Sequence, residues 1–130
     1  MVITFEGAEG DAGNPENFTD PRAAERILDD LAAWMKAHAE FEYLILGYAN
    51  HTQDRADWER EDREELIPYS KRRAEAVRRK LIERGVRAEV LTAEGRGGAS
   101  PVVPFEERNG WKDNRRVEFI YRKKGGVIKI

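Results

Sequence analysis

The chain has 130 residues, 40% of them hydrophobic and 37% charged, enough to bury one core and too few for two ordinary domains, so residues 1–130 read as a single domain. Its 23 basic and 25 acidic residues leave a net charge of −2, which gives the molecule as a whole no long-range pull on nucleic acid or an anionic membrane. With no cysteine, disulfides, thiol catalysis, iron–sulfur clusters and thiolate zinc sites are excluded together.

Val2 to Phe5 is strand-like directly after Met1 and lacks the basic start and apolar core of a signal peptide. No apolar run approaches the ~20 residues that span a bilayer. The expectation is a soluble chain, and an excised domain or mature chain if its partner lies outside the cytoplasm. Asp20 is a good N-cap, with Pro21 at the first helical position, where its missing N–H costs nothing. Ala24, Ile27, Leu28, Leu31, Met35 and His38 then recur at steps of three and four, the apolar stripe of a first helix. His38, at its end, is expected to satisfy the last carbonyls.

Phe41 to Tyr48 is too continuously apolar for an exposed strand and predicts a central one, covered on both faces or nearly so. His51 to Glu65 is almost wholly polar and reads as a long solvated loop with at most a helical turn. Pro68 opens a second helix, with Ser70, Ala74, Val77 and Leu81 on one face and Gly85 as its left-handed cap. Val86, Ala88 and Val90, and later Val117, Phe119 and Tyr121, alternate with polar neighbours as strands do. Gly95 to Gly98 and Pro101 to Gly110 are loop, and Val127 to Ile130 has the β-propensity of an edge strand. The order βαβαβ-loop-β describes an α/β sandwich of the α+β kind, with helices packed on a small mixed four-stranded sheet.

The second helix and its exit carry Lys71, Arg72, Arg73, Arg78, Arg79, Lys80, Arg84 and Arg87 against Glu75 and Glu83. Without the aromatic or glycine pattern of a nucleic-acid module, this is a solvated face. Lys71 to Arg73 stand in the first turn, where the helix dipole disfavours cations by about 0.3–1 kcal/mol each. Arg72 points outward on a helical wheel, whereas Arg73, four before Val77, flanks the buried stripe. A guanidinium there is a plausible carboxylate receptor, and equally an arginine stem covering apolar surface.

His51, Asp54 and Asp57 recur at steps of three, but polar loops produce such spacing by chance, so no metal is expected. The Gly95-Arg96-Gly97-Gly98 run has neither the Lys-Ser/Thr nor the helix of a phosphate loop. No histidine stands at suggestive spacing from Ser70 or Ser100, and the carboxylates are too evenly spread to pick out a pair. No catalysis and no cofactor are expected.

Taken together, Gly47-Tyr48-Ala49-Asn50, Tyr69-Ser70-Lys71-Arg72-Arg73-Ala74, Gly85-Val86, Gly95-Arg96-Gly97 with Pro101, and Asn114-Arg115-Arg116-Val117-Glu118-Phe119 resemble the OmpA-like domain, a peptidoglycan-binding module of diderm bacterial envelopes. The match runs from about Leu44 to Tyr121, while Gly7 to Thr19 has no counterpart. The resemblance implies non-covalent tethering of an envelope protein to the cell wall, at the periplasmic face of the outer membrane, through a stem-peptide diamino acid such as diaminopimelate. It implies that Arg73 and Arg115 take a carboxylate, that Asn50 meets the amine, and that Thr52, Ser70 and Asn114 belong to the same site. Asn50 stands where the family has an aspartate, and Leu66 where an asparagine is common four residues before the helix serine. The loop after Asn50 is also longer than the family's short connection, and one of its acids, Asp54 or Asp57, is a candidate replacement for the missing charge. The rival is a binding-deficient domain of the same fold that serves as a structural or protein-interaction module.

Overall fold

The computed structural model describes residues 1–6, 16–123 and 128–129. Strand β1 (Val2–Thr4) leads to helix α1 (Pro21–Ala37) and strand β2 (Phe41–Gly47). A 3-10 turn at Arg55–Asp57, a short helix α2 (Trp58–Glu61) and a π turn at Asp62–Leu66 run without a break into helix α3 (Ile67–Glu83). Strands β3 (Leu91–Gly95), β4 (Arg116–Lys123) and β5 (Ile128–Lys129) follow. The sheet order is β1-β4-β2-β3, with β5 also pairing β4. The β2–β3 pair is parallel and the others antiparallel, so the mixed sheet expected from the sequence is present, and part of the tail with β-propensity pairs with it. Of the segment with no counterpart in the family, residues 7–15 lie outside the described residues.

Alternation along β2 explains its two-sided burial. Tyr43 and Ile45 join Leu28, Leu31 and Met35 of α1, Ala74, Val77 and Leu81 of α3, and Val117 of β4 in the main core. A fully buried Leu28 or Ile45 is worth about 1.5–3 kcal/mol relative to an exposed side chain. Leu44, Leu46 and Tyr48 form a second cluster with Ile120 on the opposite face. Ion pairs frame that face: Arg122–Glu42 at 3.1 Å, Arg96–Glu94 at 2.8 Å, and Arg116–Glu118. Helices cover one side of β2 and charged side chains with long stems cover the other.

Two expectations need correction. Residues 55–66 are helical rather than loop, although no apolar stripe announces it. Pairs spaced one turn apart, Arg60–Glu64 at 3.3 Å and Arg63–Glu59 at 3.4 Å, support the polar helix from outside. Val86 to Val90 is not a strand. Gly85 adopts a φ of +95°, the Val86 N–H returns to the Leu81 carbonyl at 3.1 Å, and Val86 packs back on the core as the apolar residue of a helix C-cap. Ala88–Val90 is a 3-10 turn, so the strand begins only at Leu91.

The first turn of α3 lies directly on the ends of β2 and β3, where Gly47 and Gly95 pair in register. A Cβ on Gly47 would meet the Ser70 carbonyl oxygen at 2.0 Å, and one on Gly95 would meet the Ile67 carbonyl oxygen at 2.3 Å. Both glycines serve close approach of helix to strand, which sets Ser70 and Arg73 against the tip of β2.

Candidate functional site

Arg73 is turned inward, as its place beside the α3 stripe requires, and only 1% of it is exposed. Its guanidinium carbon sits 4.4 Å from the Tyr69 ring centre and 5.0 Å from that of Phe5. Nη2 donates to the Glu6 carbonyl at 3.1 Å and to the Tyr69 hydroxyl at 3.4 Å, and Nη1 donates to the Tyr48 carbonyl at 3.5 Å. Nε is buried without a partner. Among the described residues no carboxylate pairs with this cation. Burial lowers its pKa, Tyr69 opposes that shift, and the neighbouring charge of Arg115 adds to it.

The helix-terminus setting expected for Arg73 is not what the structure has. Leu66, before α3, is itself helical (φ −78°, ψ −38°), and the helical path reaches back to Trp58. The N–H groups around Arg73 therefore belong to a helix interior, and the cation is spared the repulsion of a first turn.

Arg115 comes to the same place from the start of β4. Its Nε donates to the Phe5 carbonyl at 3.0 Å, and its own carbonyl accepts from the Phe5 N–H at 2.8 Å. Burial lowers its pKa, while Glu6 and then Tyr69 favour the charged form. The successive carbonyls of Phe5 and Glu6 thus cap the two guanidiniums. Arg72, by contrast, is exposed, as its wheel position predicts.

Asn50 and Asn114 are joined directly. Asn114 Oδ1 accepts from the Val102 and Val103 N–H groups at 2.7 and 3.0 Å, and its Nδ2 donates to Asn50 Oδ1 at 2.6 Å. The two backbone donors fix which end of Asn114 is oxygen, and hence which end of Asn50 faces it. Asn50 Nδ2 donates to the His51 carbonyl at 2.7 Å. Both amides are spent on tying β2 to the loop before β4. The niche beside them holds about 20 Å³, room for one water.

Ser70, wholly buried, accepts from the Gly97 N–H at 3.0 Å and donates to the Ile67 carbonyl at 3.1 Å. Thr52 is held by Glu61, whose carboxylate accepts from the Thr52 hydroxyl and N–H and from the Gln53 N–H. Asp62 accepts from the Gly98 N–H at 2.9 Å and lies 3.0 Å from His51 Nε2. Arg116 turns to the other sheet face, over Tyr48 at 3.9 Å. The site residues named from the sequence thus fall into two groups: Arg73 with Arg115, and Asn50 with Asn114, while Ser70 and Thr52 brace the surrounding backbone.

The sequence reading missed Tyr69, Phe5, Glu6 and Glu61. Tyr69 is four residues before Arg73, a spacing that puts the two on one helix face, so that signal was available. Glu61 had no such mark. A larger groove of about 430 Å³ runs beside Leu31, Trp34, Met35 and Phe119. Among its described lining residues the charged side chain is that of Asp30, the wrong sign for a carboxylate.

The OmpA family model matches residues 15–115. The peptidoglycan-associated lipoprotein from Burkholderia pseudomallei superposes with a TM-score of 0.71 at 24% identity, covering 93% of this chain and 89% of that one. The C-terminal domain of Helicobacter pylori MotB gives 0.69 at 19%, over 95% and 84%. The OmpA-like domain of FopA1 from Francisella tularensis gives 0.68 at 15%, over 99% and 74%. At such identities the likeness is one of fold. No curated protein matches the chain.

Proposed function

Because the chain belongs to the OmpA family, we propose that it is a non-catalytic module that holds peptidoglycan in the periplasm, with Arg73 and Arg115 receiving a carboxylate of the stem-peptide diamino acid. One observation carries this reading: Arg73 is a buried cation with no carboxylate partner among the described residues, an orphaned Nε, and only neutral acceptors at 3.1 to 3.5 Å. A buried charge without a counter-ion is costly. A ligand carboxylate would supply that counter-ion and a charge-assisted bond in place of carbonyl contacts. The similarity to a peptidoglycan-associated lipoprotein agrees with the choice of ligand.

A second reading has its own observation. The acceptor of Asn50 is taken by Asn114, so a domain that keeps the scaffold and has lost its hold on the amine would serve as a structural or protein-interaction module. Titration of a soluble muropeptide with a free diamino acid separates the two. The binding reading predicts saturable shifts with the parent protein and with Arg72→Ala, and none with Arg73→Met. Silence of the parent at millimolar muropeptide, or equal losses from both variants, would favour the second reading.

A further inference from the structure

A zwitterionic diamino acid needs an acid as well as the two arginines, and of four acids that follow Asn50 three already have partners. Glu61 is 1% exposed and spends both oxygens on Thr52 and Gln53. Asp62 is taken by His51 and Gly98. Asp57 stands on the exposed insert, 3.9 Å from Arg60, and Asp54 precedes that same turn. None of the four lies against Arg73 or Arg115.

Glu6 does. Its carbonyl is the 3.1 Å acceptor of Arg73 Nη2, its N–H is fixed to the Asn17 carbonyl at 2.8 Å, and the residue before it is bonded to Arg115 through both backbone groups. Four backbone hydrogen bonds therefore anchor Phe5 and Glu6 beside the arginine pair, while Glu6 itself is exposed. Its carboxylate forms no ion pair within 4 Å among the described residues, yet it is close enough to favour the charged form of Arg115. The Phe5–Glu6 backbone thus sets one available anion beside two cations, the complement of a carboxylate beside an ammonium.

We propose that Glu6, at the exit of β1, is the ammonium acceptor of this domain, supplying from the other wall of the site the charge that Asn50 lacks. The assignment rests on the carboxylate reading of Arg73 and Arg115 and specifies what selects the ligand's amine. On binding, the ligand carboxylate displaces the Phe5 and Glu6 carbonyls from the guanidiniums, and the ligand ammonium engages the Glu6 carboxylate.

The test uses two synthetic stem tripeptides ending in diaminopimelate, one with the side-chain amine free and one with that amine acetylated, titrated into the parent protein and Glu6→Gln. An exposed Glu-to-Gln change leaves the fold intact, which circular dichroism checks. The expected result is a loss of about tenfold or more in affinity for the free-amine peptide, as for a charged hydrogen bond, and less than twofold for the acetylated one. Parent binding with equal effects on both peptides, or with no effect of Glu6→Gln, would overturn the role of Glu6 and leave the carboxylate reading standing. Failure of the parent to bind either peptide would overturn that reading and this assignment with it.

Discussion

Arg73 is where burial and charge conflict most sharply. A guanidinium between two aromatic rings, 1% exposed and without a counter-ion among the described residues, is desolvated at a cost that neutral acceptors offset only in part. A stability optimum would place an apolar side chain of similar volume there. Arg73→Met should therefore hold or raise the stability of the free protein, by about 1 kcal/mol or more, as when buried charged groups give way to apolar ones. Chemical denaturation measures this, and a loss of about 2 kcal/mol or more would mean that the carbonyl contacts alone justify the arginine. The inward turn of Arg73 and the outward turn of Arg72 were legible, because a helical wheel needs only the positions of Ala74, Val77 and Leu81. The capping of both arginines by Phe5 and Glu6 was not legible, since it joins residues 67 and 110 positions apart.

At the scale of elements, α3 is placed by what its first turn can approach. Gly47 and Gly95 let the backbone of Ile67 to Lys71 lie against the strand ends, and the far end of α3 is tied to α1 by Arg84 with Glu25 and with Asp29 at 2.8 Å. Arg84 has its pKa raised, first by the Asp29 hydrogen bond, against the opposing effect of burial. Gly47→Ala has no room, because the atom it would strike is backbone. It should cost about 3 kcal/mol, the upper part of the range for overpacking, and weaken muropeptide binding by moving Arg73 off the tip of β2. A folded variant with unchanged stability and affinity would show that α3 can ride outward without consequence. The sequence displayed Gly95 only as a loop residue and Gly47 only as part of a strand and a family motif, because nothing local states which helix will cross them. The polar insert was misread for a related reason: a helix held by charge pairs one turn apart and by the buried Glu61 presents no apolar period to find. The false strand at Val86 to Val90 shows the converse, since two apolar residues with separate duties, one capping a helix and one closing the core, imitate alternation.

Across the whole molecule, the mixed sheet and its layering were readable because β2 announces itself as central and the two helices carry clear stripes. The site was readable only as a set of residues. Its division into an arginine pair under the end of β1 and an amide pair between β2 and β4 depends on long-range packing. The result is an arginine pair held where β1, α3 and β4 meet and covered by the Phe5 and Glu6 carbonyls. Under the proposed carboxylate reading, a ligand must displace those carbonyls. The most direct measurement is a crystal structure of the domain with a diaminopimelate-containing stem peptide. The account predicts a ligand carboxylate about 2.8 Å from the guanidinium nitrogens of Arg73 and Arg115, with the Phe5 and Glu6 carbonyls moved aside. A peptide bound elsewhere, with Arg73 still on the carbonyls of Glu6 and Tyr48, would contradict it.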